Sequence, residues 1–301
     1  MSKKELIALG TSSQQPTRFR SHGAYLVRMC QEGFLFDPGE GTQRQFIFAE
    51  VAPTSVTHIF ISHFHGDHCL GVGSMLMRLN LDRVEHPVRC YFPASGAQNF
   101  TYLRKACLYH ENISVEEHPI EQAGVFLETD TYTVRAEPLE HGVPTLGYRI
   151  EEKPRRKFDP RKLHAFGVRG PLVKALQEQG RLQIGDKTVT LEEVSWVQEG
   201  DVFAYVLDTL SCENAVRLAE GASMILAEST YLHGQEELAK KYLHMTAQQA
   251  ALIAQRASAK KLILTHFSAR YRDVTLFEEE ARQVFPESYA ARDLSRFAFP
   301  S

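Results

Sequence analysis

Short runs of apolar, β-branched or aromatic residues recur along the chain, and each run ends at turn residues. This pattern is typical of strands, and it predicts Leu6–Leu9, Ala24–Val27, Phe34–Phe36, Val56–Ile61, Val88–Phe92, Thr131–Val134, Val202–Leu207, Met224–Ala227 and Leu262–Leu264. Apolar residues at helical spacing predict the helices Leu70–Leu79, Ala94–Ala106, Asn214–Ala219, Ala247–Ala257 and Leu276–Val284. Strands cluster first, then alternate with helices, and the alternation resumes after residue 200. This order predicts an α/β (α+β) fold of two similar halves, with sheets inside and helices outside.

Residues 151–200 interrupt the pattern and predict an arm inserted within a single domain that spans residues 1–301. From Lys153 to Arg181 the segment holds nine Lys or Arg against two acidic residues, a charge of +7. Since the whole chain carries −3, the remainder carries −10. Charge runs are often only solvated surface, but a basic arm beside an acidic body favours contact with RNA phosphates.

Composition narrows the class of protein. With 43% apolar and 24% charged residues in 301, the chain is not expected to be disordered. No apolar stretch approaches the roughly 18 residues that a membrane span needs. The five cysteines form no CxxC pair and cannot all be bridged, which favours a reducing compartment, so we expect a cytoplasmic protein.

A dense group of metal-binding side chains follows the predicted strand Val56–Ile61. The segment reads Ser62-His63-Phe64-His65-Gly66-Asp67-His68, with three histidines and one carboxylate in six residues. Imidazole and carboxylate together suit Zn²⁺, and the lack of nearby thiolates argues against a closed structural zinc site. A tight turn at Gly66 can direct the first two histidines one way and Asp67 and His68 the other. The motif therefore predicts two adjacent metal ions.

Further candidate ligands stand just beyond other apolar runs, where sheet proteins place functional loops. They are His141, Asp208 and His266. Each alone is explained as well by a turn or capping role, but together with the histidine-rich motif they predict ligands. Asp37 also ends an apolar run, and it suits either a turn cap or an acceptor that orients a ligand imidazole.

These motifs resemble one known family. The histidine-rich motif, with Phe36-Asp37-Pro38-Gly39-Glu40-Gly41-Thr42-Gln43 upstream and His266-Phe267-Ser268-Ala269-Arg270-Tyr271 downstream, is similar to the ribonuclease Z family of tRNA 3′-end endonucleases in the metallo-β-lactamase superfamily. Nearly the whole chain matches. The resemblance implies a metallo-β-lactamase αββα sandwich. It also implies that the basic arm over 151–200, which carries Gly170 and Pro171, is an exosite that grips tRNA.

The resemblance assigns roles to numbered positions. It implies two Zn²⁺ ions per subunit, with ligands shared among His63, His65 and His141 for one ion, Asp67, His68 and His266 for the other, and Asp208 between them. It also implies that Asp67 orients or deprotonates the attacking water and that Glu228 and His244 protonate the leaving oxygen. A packing role before an amphipathic helix is the alternative for His244. The family's His-Glu-Ala-Thr is here Ala227-Glu228-Ser229-Thr230, so one supporting histidine is absent.

The resemblance implies zinc-dependent removal of the 3′ trailer from precursor tRNA, leaving a 3′-hydroxyl on the tRNA. Two adjacent zinc ions lower the pKa of a bound water to about 7, so hydroxide is available at neutral pH to attack the phosphodiester. The candidate substrate contacts are Arg155, Arg156, Lys157, Gly170 and Pro171 in the arm, and Arg270, which alternatively forms a surface ion pair. The resemblance also implies a homodimer.

Two other hypotheses stay open. One is a phosphodiesterase or sulfatase of the same fold that acts on small substrates, although a small substrate has no need of the basic arm. The other is a non-enzymatic RNA-binding subunit of a processing complex. Such a subunit would be expected to lose metal ligands, whereas all seven positions are filled here.

Overall fold

The structure, a computed structural model, describes residues 4–300, so the first three residues and the last residue of the predicted domain lie outside it. The chain falls into two compact units. One contains the described residues up to Glu151 and from Asp201 onward, and the other is Glu152–Gly200.

Eighteen strands and eleven α-helices make up the described chain. The strands are β1 Glu5–Gly10, β2 Ala24–Met29, β3 Glu32–Phe36, β4 His58–Phe60, β5 Val88–Pro93, β6 Val115–Ile120, β7 Gly124–Glu128, β8 Tyr132–Leu139, β9 Thr145–Glu152, β10 Arg155–Phe158, β11 Arg181–Ile184, β12 Lys187–Thr190, β13 Ser195–Gln198, β14 Val202–Val206, β15 Met224–Glu228, β16 Leu262–Thr265, β17 Ser288–Ala290 and β18 Arg296–Ala298. The helices are α1 Thr42–Phe48, α2 Gly66–Cys69, α3 Val72–Leu81, α4 Ala97–Arg104, α5 Pro160–Ala165, α6 Pro171–Gln179, α7 Leu191–Val194, α8 Glu213–Ala219, α9 Glu236–Tyr242, α10 Ala247–Arg256 and α11 Thr275–Arg282.

The larger unit contains two seven-stranded sheets. The first has the order β18-β1-β2-β3-β4-β5-β6, and the second has the order β17-β16-β15-β14-β9-β8-β7. Strands β3 to β6 run parallel in the first sheet, and strands β14 to β17 run parallel in the second. Since the carboxyl ends of parallel neighbours meet at one sheet edge, the loops after these strands are brought together.

Three apolar layers hold the larger unit together. Aromatic side chains of both sheets, such as Phe36 and Phe60 from the first and Tyr148 and Phe203 from the second, pack in the middle layer. The outer face of the first sheet packs on α1, α3 and α4, and that of the second sheet packs on α8, α10 and α11. The arrangement is the predicted αββα sandwich, so the predicted fold class is confirmed.

The smaller unit is inserted between the antiparallel neighbours β9 and β14. It contains the ribbons β10–β13 and β11–β12 and the helices α5, α6 and α7. Its own small core consists of Val168, Leu176, Val189, Leu191 and Val194. No helix within residues 4–300 combines the length and the apolar character needed to cross a membrane.

Candidate metal centre

The seven predicted metal ligands lie in loops that follow strands of both sheets. His63, His65, Asp67 and His68 lie beyond β4, in the loop and the short helix α2. The other three follow β8, β14 and β16 and are His141, Asp208 and His266. The structure brings all seven side chains into one cluster.

The backbone turns sharply where several of these strands end. Asp37, Asp208 and His266 have φ angles of 44°, 46° and 61°, which lie in the left-handed region. Asp37 directly follows β3 and His266 directly follows β16. A non-glycine residue in this region costs of the order of 1–3 kcal/mol, and such residues cluster at functional sites. Three of the ten described non-glycine residues with positive φ therefore belong to this centre.

Gly39 allows the histidine-rich loop to pack against the turn after β3. A Cβ atom at Gly39 would lie 2.3 Å from the backbone carbonyl oxygen of Asp67, much closer than any real contact. A side chain here would push the segment carrying Asp67 and His68 out of position. The glycine in the Phe36–Gln43 motif is thus required by a close backbone approach.

One group of donor atoms consists of three imidazoles and a carboxylate. His63 Nε2 lies 2.9 Å from His65 Nδ1, and His141 Nε2 lies 3.4 Å from the same His65 atom. Asp208 Oδ2 lies 3.7 Å from His63 Nε2 and 3.8 Å from His141 Nε2. One ligand atom from each of the four residues falls within 4.8 Å of the others.

A second group adjoins the first and shares Asp208 with it. His68 Nε2 lies 3.3 Å from Asp67 Oδ2, and His266 Nε2 lies 3.5 Å from the same oxygen. Asp208 approaches both imidazoles, with Oδ2 at 3.3 Å from His68 Nε2 and Oδ1 at 3.2 Å from His266 Nε2. Asp208 therefore lies between two sets of potential ligands.

The donor set fits a divalent metal ion. Among the described residues, His68 Nε2, Asp208 Oδ1 and His266 Nε2 are buried and have no hydrogen-bond partner. A buried polar atom without a partner costs about 1–3 kcal/mol, and a bound cation would remove that cost. The nearby Cys69 thiol belongs to none of the donor groups and donates to the His65 carbonyl oxygen at 3.2 Å, and burial raises its pKa to about 12.

The electrostatic field of the centre favours positive charge. Burial alone would lower the pKa of His68, but the Asp208 and Asp67 carboxylates outweigh it and raise the pKa well above its ordinary value. Burial alone would raise the pKa of Asp67, but His68 and His266 hold it below its usual range. The pocket thus stabilises a cation beside ionised carboxylates.

The second ring nitrogen of four of these histidines is bound to the protein. Two Nδ1 atoms contact side chains of the first sheet's loops: that of His63 lies 2.9 Å from the Ser62 hydroxyl, and that of His68 lies 2.8 Å from Asp37 Oδ2. The Nδ1 atom of His141 lies 3.0 Å from the Leu243 carbonyl oxygen, and that of His266 lies 2.9 Å from the Thr230 hydroxyl. Such contacts fix the ring orientation and leave Nε2 for a metal. His65 differs, because its Nδ1 faces the centre.

The Asp37 carboxylate accepts several hydrogen bonds beside the donor cluster. It accepts from the Ser62 backbone N–H at 2.6 Å, the Ser62 hydroxyl at 2.5 Å and the Tyr205 hydroxyl at 2.8 Å, in addition to His68. It is fully buried. This places Asp37 under the metal cluster, bound to the imidazole of one predicted ligand and to the residue preceding another.

His244 and Glu228 form a buried pair beside the cluster. His244 Nδ1 lies 3.0 Å from Glu228 Oε1, and the His244 ring lies 5.2 Å from that of His141 and 5.4 Å from that of His266. Ala227 stands where the family has histidine, but the Glu228 carboxylate still accepts hydrogen bonds from four groups. They are the N–H groups of Thr209 and Met245, the Thr230 hydroxyl and the His244 ring.

A cavity of about 440 Å³ opens over the donor cluster. Ser13, Gln14, Tyr231, Tyr242 and Arg270 line it. The residues of the centre that also line it are His65, Asp67, His141, Asp208, His244 and His266. The Arg270 guanidinium lies 5.2 Å from the centre of the Tyr231 ring, and its described hydrogen bonds go to neutral groups of Ser268 and Gln235. An Arg270 cation without an acidic partner among the described residues is suited to meet an anionic substrate.

The remaining predicted substrate contacts lie in the smaller unit. Arg155, Arg156 and Lys157 belong to β10, and Gly170 and Pro171 stand at the start of α6. Gly170 has a φ angle of 52° and open space around its Cα. Arg156 donates to the Ser195 hydroxyl at 2.9 Å. The structure thus places these five residues in a different unit from the donor cluster.

Four residues that contact the centre were missed by the sequence reasoning. Ser62 and Thr230 adjoin predicted residues in the chain, so their proximity was a usable signal. Tyr205 lies in the middle of an apolar strand, and the carbonyl of Leu243 has no side-chain signature at all. Sequence patterns carry no information on backbone acceptors.

Comparison with known proteins identifies the family of this chain. The sequence model of the metallo-β-lactamase superfamily matches residues 17–148. Ribonuclease Z of Protochlamydia amoebophila (strain UWE25) is 56% identical over 299 residues, covering 99% of this chain and 98% of that protein. Ribonuclease Z of Chlamydia pneumoniae is 53% identical over 300 residues, covering 100% of this chain and 98% of that protein.

Solved structures show the same fold. The short form of human tRNase Z aligns with a TM-score of 0.71 and 23% identity over 99% of this chain and 100% of that chain. A long-form RNase Z from yeast aligns with a TM-score of 0.68 and 16% identity over 98% of this chain and 42% of that chain. The family resemblance predicted from the motifs is confirmed by the full-length sequence matches. The chain belongs to the ribonuclease Z family of the metallo-β-lactamase superfamily.

Proposed function

We propose that this protein is a zinc-dependent endoribonuclease that removes the 3′ trailer from precursor tRNA and leaves a 3′-hydroxyl on the tRNA. One observation carries the proposal. In a chain of this family, a seven-residue donor set for metal adjoins an imidazole–carboxylate pair, and residues of both line one pocket. Hydrolysis of a phosphodiester requires both an activated water and a proton for the departing oxygen.

Two zinc ions are the metals that suit the donor atoms, because imidazole and carboxylate are present without thiolate. His63, His65 and His141 would hold one ion, and Asp67, His68 and His266 the other, with Asp208 between them. When bound, such ions supply an activated water and positive charge for the phosphoryl oxygens.

Asp67 and His244 would handle the protons. Asp67 Oδ2 stands at the mouth of the second donor group, where it accepts a hydrogen bond from the attacking water and orients it. His244 gives Nδ1–H to Glu228, which leaves its Nε2 proton for the oxygen that departs. Glu228 is fully buried, so it acts on His244 and does not reach substrate.

The smaller unit would bind the body of the tRNA. Residues 153–181 carry +7 in a chain whose remainder carries −10, and phosphate binding by Lys and Arg is driven by release of counterions. Arg155, Arg156 and Lys157 on β10, with the Gly170–Pro171 turn, supply the contacts. Arg270, in the pocket of the donor cluster, would bind a phosphate near the cleaved bond.

The protein is further proposed to act in the cytoplasm as a homodimer. All five cysteines are free, which suits a reducing compartment. Ile47 and Phe48 on α1 and Leu70 before α3 are exposed apolar side chains that suit a subunit interface. Light scattering during size-exclusion chromatography measures the assembly state, and a monomeric mass would contradict the dimer.

Cleavage of a precursor tRNA with a mapped 3′ end tests the activity. His65→Ala or Asp208→Ala is expected to abolish cleavage while binding of the precursor persists, because the donor set and the basic arm lie in different units. His118→Ala, a half-exposed histidine on β6, is the matched control and is expected to cleave normally. Full activity of Asp208→Ala would overturn the proposal. Hydrolysis of small phosphodiesters without cleavage of precursor tRNA would favour the small-substrate alternative.

A further inference from the structure

Thr230 joins the proton-donating pair to the donor cluster. It follows β15 and is almost fully buried. Its hydroxyl lies 2.6 Å from Glu228 Oε2 and 2.9 Å from His266 Nδ1. One side-chain atom thus contacts both the carboxylate that holds His244 and an imidazole expected to bind metal.

The direction of these two hydrogen bonds is set by the donors around Glu228. Two backbone N–H groups, of Thr209 at 2.6 Å and Met245 at 3.1 Å, and the His244 ring at 3.0 Å point at the carboxylate. A carboxylate surrounded in this way is stabilised in the ionised form and only accepts hydrogen bonds. The Thr230 hydroxyl must then donate its one proton to Glu228.

A consequence follows for His266. With its proton given to Glu228, the Thr230 oxygen can only accept from the imidazole. A ring proton of His266 therefore resides on Nδ1, so Nε2 is the ring nitrogen that faces the donor cluster. That Nε2 atom is buried and has no hydrogen-bond partner within the described chain, and it lies 3.2 Å from Asp208 Oδ1.

We propose that Thr230 is a positioning residue that sets the tautomer and ring orientation of His266 for metal binding and ties this ligand to the carboxylate of the proton donor. The inference rests on the proposed function, which makes His266 a ligand. It also gives Glu228 a second role. The Glu228 carboxylate contacts His244 directly, and it contacts His266 indirectly, through the Thr230 hydroxyl.

Substitutions at the two ends of this network separate its effect on His266 from the loss of the acid. Thr230→Val keeps the branched shape of the side chain and removes the hydrogen bonds to His266 and to Glu228, while Glu228 keeps its three other donors. Thr230→Ser keeps the hydroxyl and is the matched control. His244→Asn removes the acid and leaves the Thr230–His266 contact in place.

Zinc affinity measured by competition with a chromophoric chelator separates the outcomes without using activity. Thr230→Val is expected to bind one of two zinc equivalents about 10- to 100-fold more weakly, the effect typical of removing a partner of a ligand imidazole. Thr230→Ser and His244→Asn are expected to retain both affinities. Wild-type zinc affinities in a folded Thr230→Val protein would overturn the inference and would leave the proposed function intact.

A second measurement does not depend on the stability of any variant. Nitrogen-15 NMR of histidine-labelled, zinc-free wild-type protein reports which ring nitrogen of His266 carries the proton. The inference requires a proton on Nδ1, and a His266 ring whose Nδ1 carries no proton would overturn it. Failure of the wild-type protein to bind zinc would instead count against the proposed function.

Discussion

His244 is kept in its proton-carrying form mainly by one neighbour, Glu228, with a smaller contribution from Asp208. Burial would lower the pKa of its imidazole, but the Glu228 carboxylate 3.0 Å away raises that pKa to about 9. An imidazole with this pKa is protonated at neutral pH, and its charge makes it a better donor to a departing alkoxide. Loss of the proton at alkaline pH would remove the donor.

The single-turnover rate of cleavage is therefore expected to fall as pH rises through about 9. Below that pH His244 is protonated and the rate does not depend on this group. His244→Asn is expected to slow cleavage by roughly 10²- to 10⁴-fold at pH 7.5 and to abolish the alkaline decline. Rates measured from pH 6 to 10 at saturating zinc test both expectations.

Zinc content is the control for this prediction. His244→Asn should bind as much zinc as the wild type, because His244 is held by Glu228 at one nitrogen and its proposed role is proton transfer. If the variant lost zinc, His244 would have to be reassigned as a ligand. An alkaline decline that persists in His244→Asn would show that another group titrates there.

The sequence revealed the candidate ligands but not what orients them. His141, Asp208 and His266 could be selected because polar residues just beyond apolar runs lie at strand ends, and the structure brings them together. The left-handed φ angles of Asp208 and His266 could not be foreseen, since only the surrounding fold imposes such strain. The contact of His141 with the Leu243 carbonyl likewise depends on tertiary placement.

Strand β4 carries a histidine into the apolar layer between the sheets. The His58 ring packs 4.9 Å from that of Phe34 and 6.0 Å from that of Tyr91, measured between ring centres. Burial, reinforced by the positive charge of Arg89, lowers the pKa of His58 to about 3. The folded strand thus holds a neutral imidazole that the unfolded chain would protonate at mildly acidic pH.

The free energy of unfolding is expected to decrease as pH falls below about 6.5. Above this value His58 is neutral in both states, whereas between about 6.5 and 3 only the unfolded chain binds the proton. The loss from this residue amounts to about 2 kcal/mol at pH 5. His58→Phe, which preserves the aromatic packing, should lack this contribution.

Urea unfolding of zinc-free wild-type and variant protein at pH 7.5 and pH 5 measures the effect. The difference in unfolding free energy between the two proteins should shift by about 2 kcal/mol in favour of His58→Phe at the lower pH. Chelator at both pH values removes any contribution from metal release. An unchanged difference would mean that His58 is protonated within the folded core.

Strands buried on both faces could be predicted from the sequence, and partly exposed edge strands could not. Strands such as β1 and β2 are covered on both faces, by the opposite sheet and by helices, so their sequences are continuous apolar runs and were predicted. The edge strands β6 and β7 are partly exposed and polar, and the pattern gave no strand there. The predicted Val56–Ile61 contains the shorter β4, and α1 and α9 were not predicted.

The basic segment of the sequence lies within the smaller of the two compact units. The +7 segment from Lys153 to Arg181 lies inside the unit Glu152–Gly200, which has a core of its own. The sequence identified this unit by its prolines and charge. Its internal strand pairing was not foreseen, because four-residue strands give too little periodicity to be detected.

Binding of precursor tRNA is expected to depend on salt through the basic strand β10. Replacing Arg155, Arg156 and Lys157 together by glutamine should lower the slope of log K against log salt by about one for each phosphate that the strand no longer neutralises. Filter binding from 50 to 300 mM salt measures the slope. Lys240 and Lys241 on α9, replaced by glutamine, provide a control for charge outside this strand. An unchanged slope in the triple variant would exclude β10 from the RNA interface.

Removal of the smaller unit should separate substrate recognition from hydrolysis. Glu151 on β9 is paired with Val202 on β14, and Gly200 lies against the carbonyl of Glu152, so the two ends of the unit are adjacent. A short Gly-Ser turn can therefore replace residues 153–199 and convert β9 and β14 into a hairpin. Cutting only 153–181 would instead remove β10 from its partner β13.

The shortened protein is expected to keep its zinc and to hydrolyse a chromogenic phosphodiester, because all seven donor residues belong to the larger unit. Its kcat/KM for precursor tRNA should fall by roughly 10³-fold, the decrease expected when several charge-assisted hydrogen bonds to phosphate are removed. Parallel assays of both substrates decide the matter. Equal loss of both activities would show that the unit supports the hydrolytic centre itself. Retention of both would remove the arm from substrate recognition, leaving the pocket with Arg270 to select the RNA.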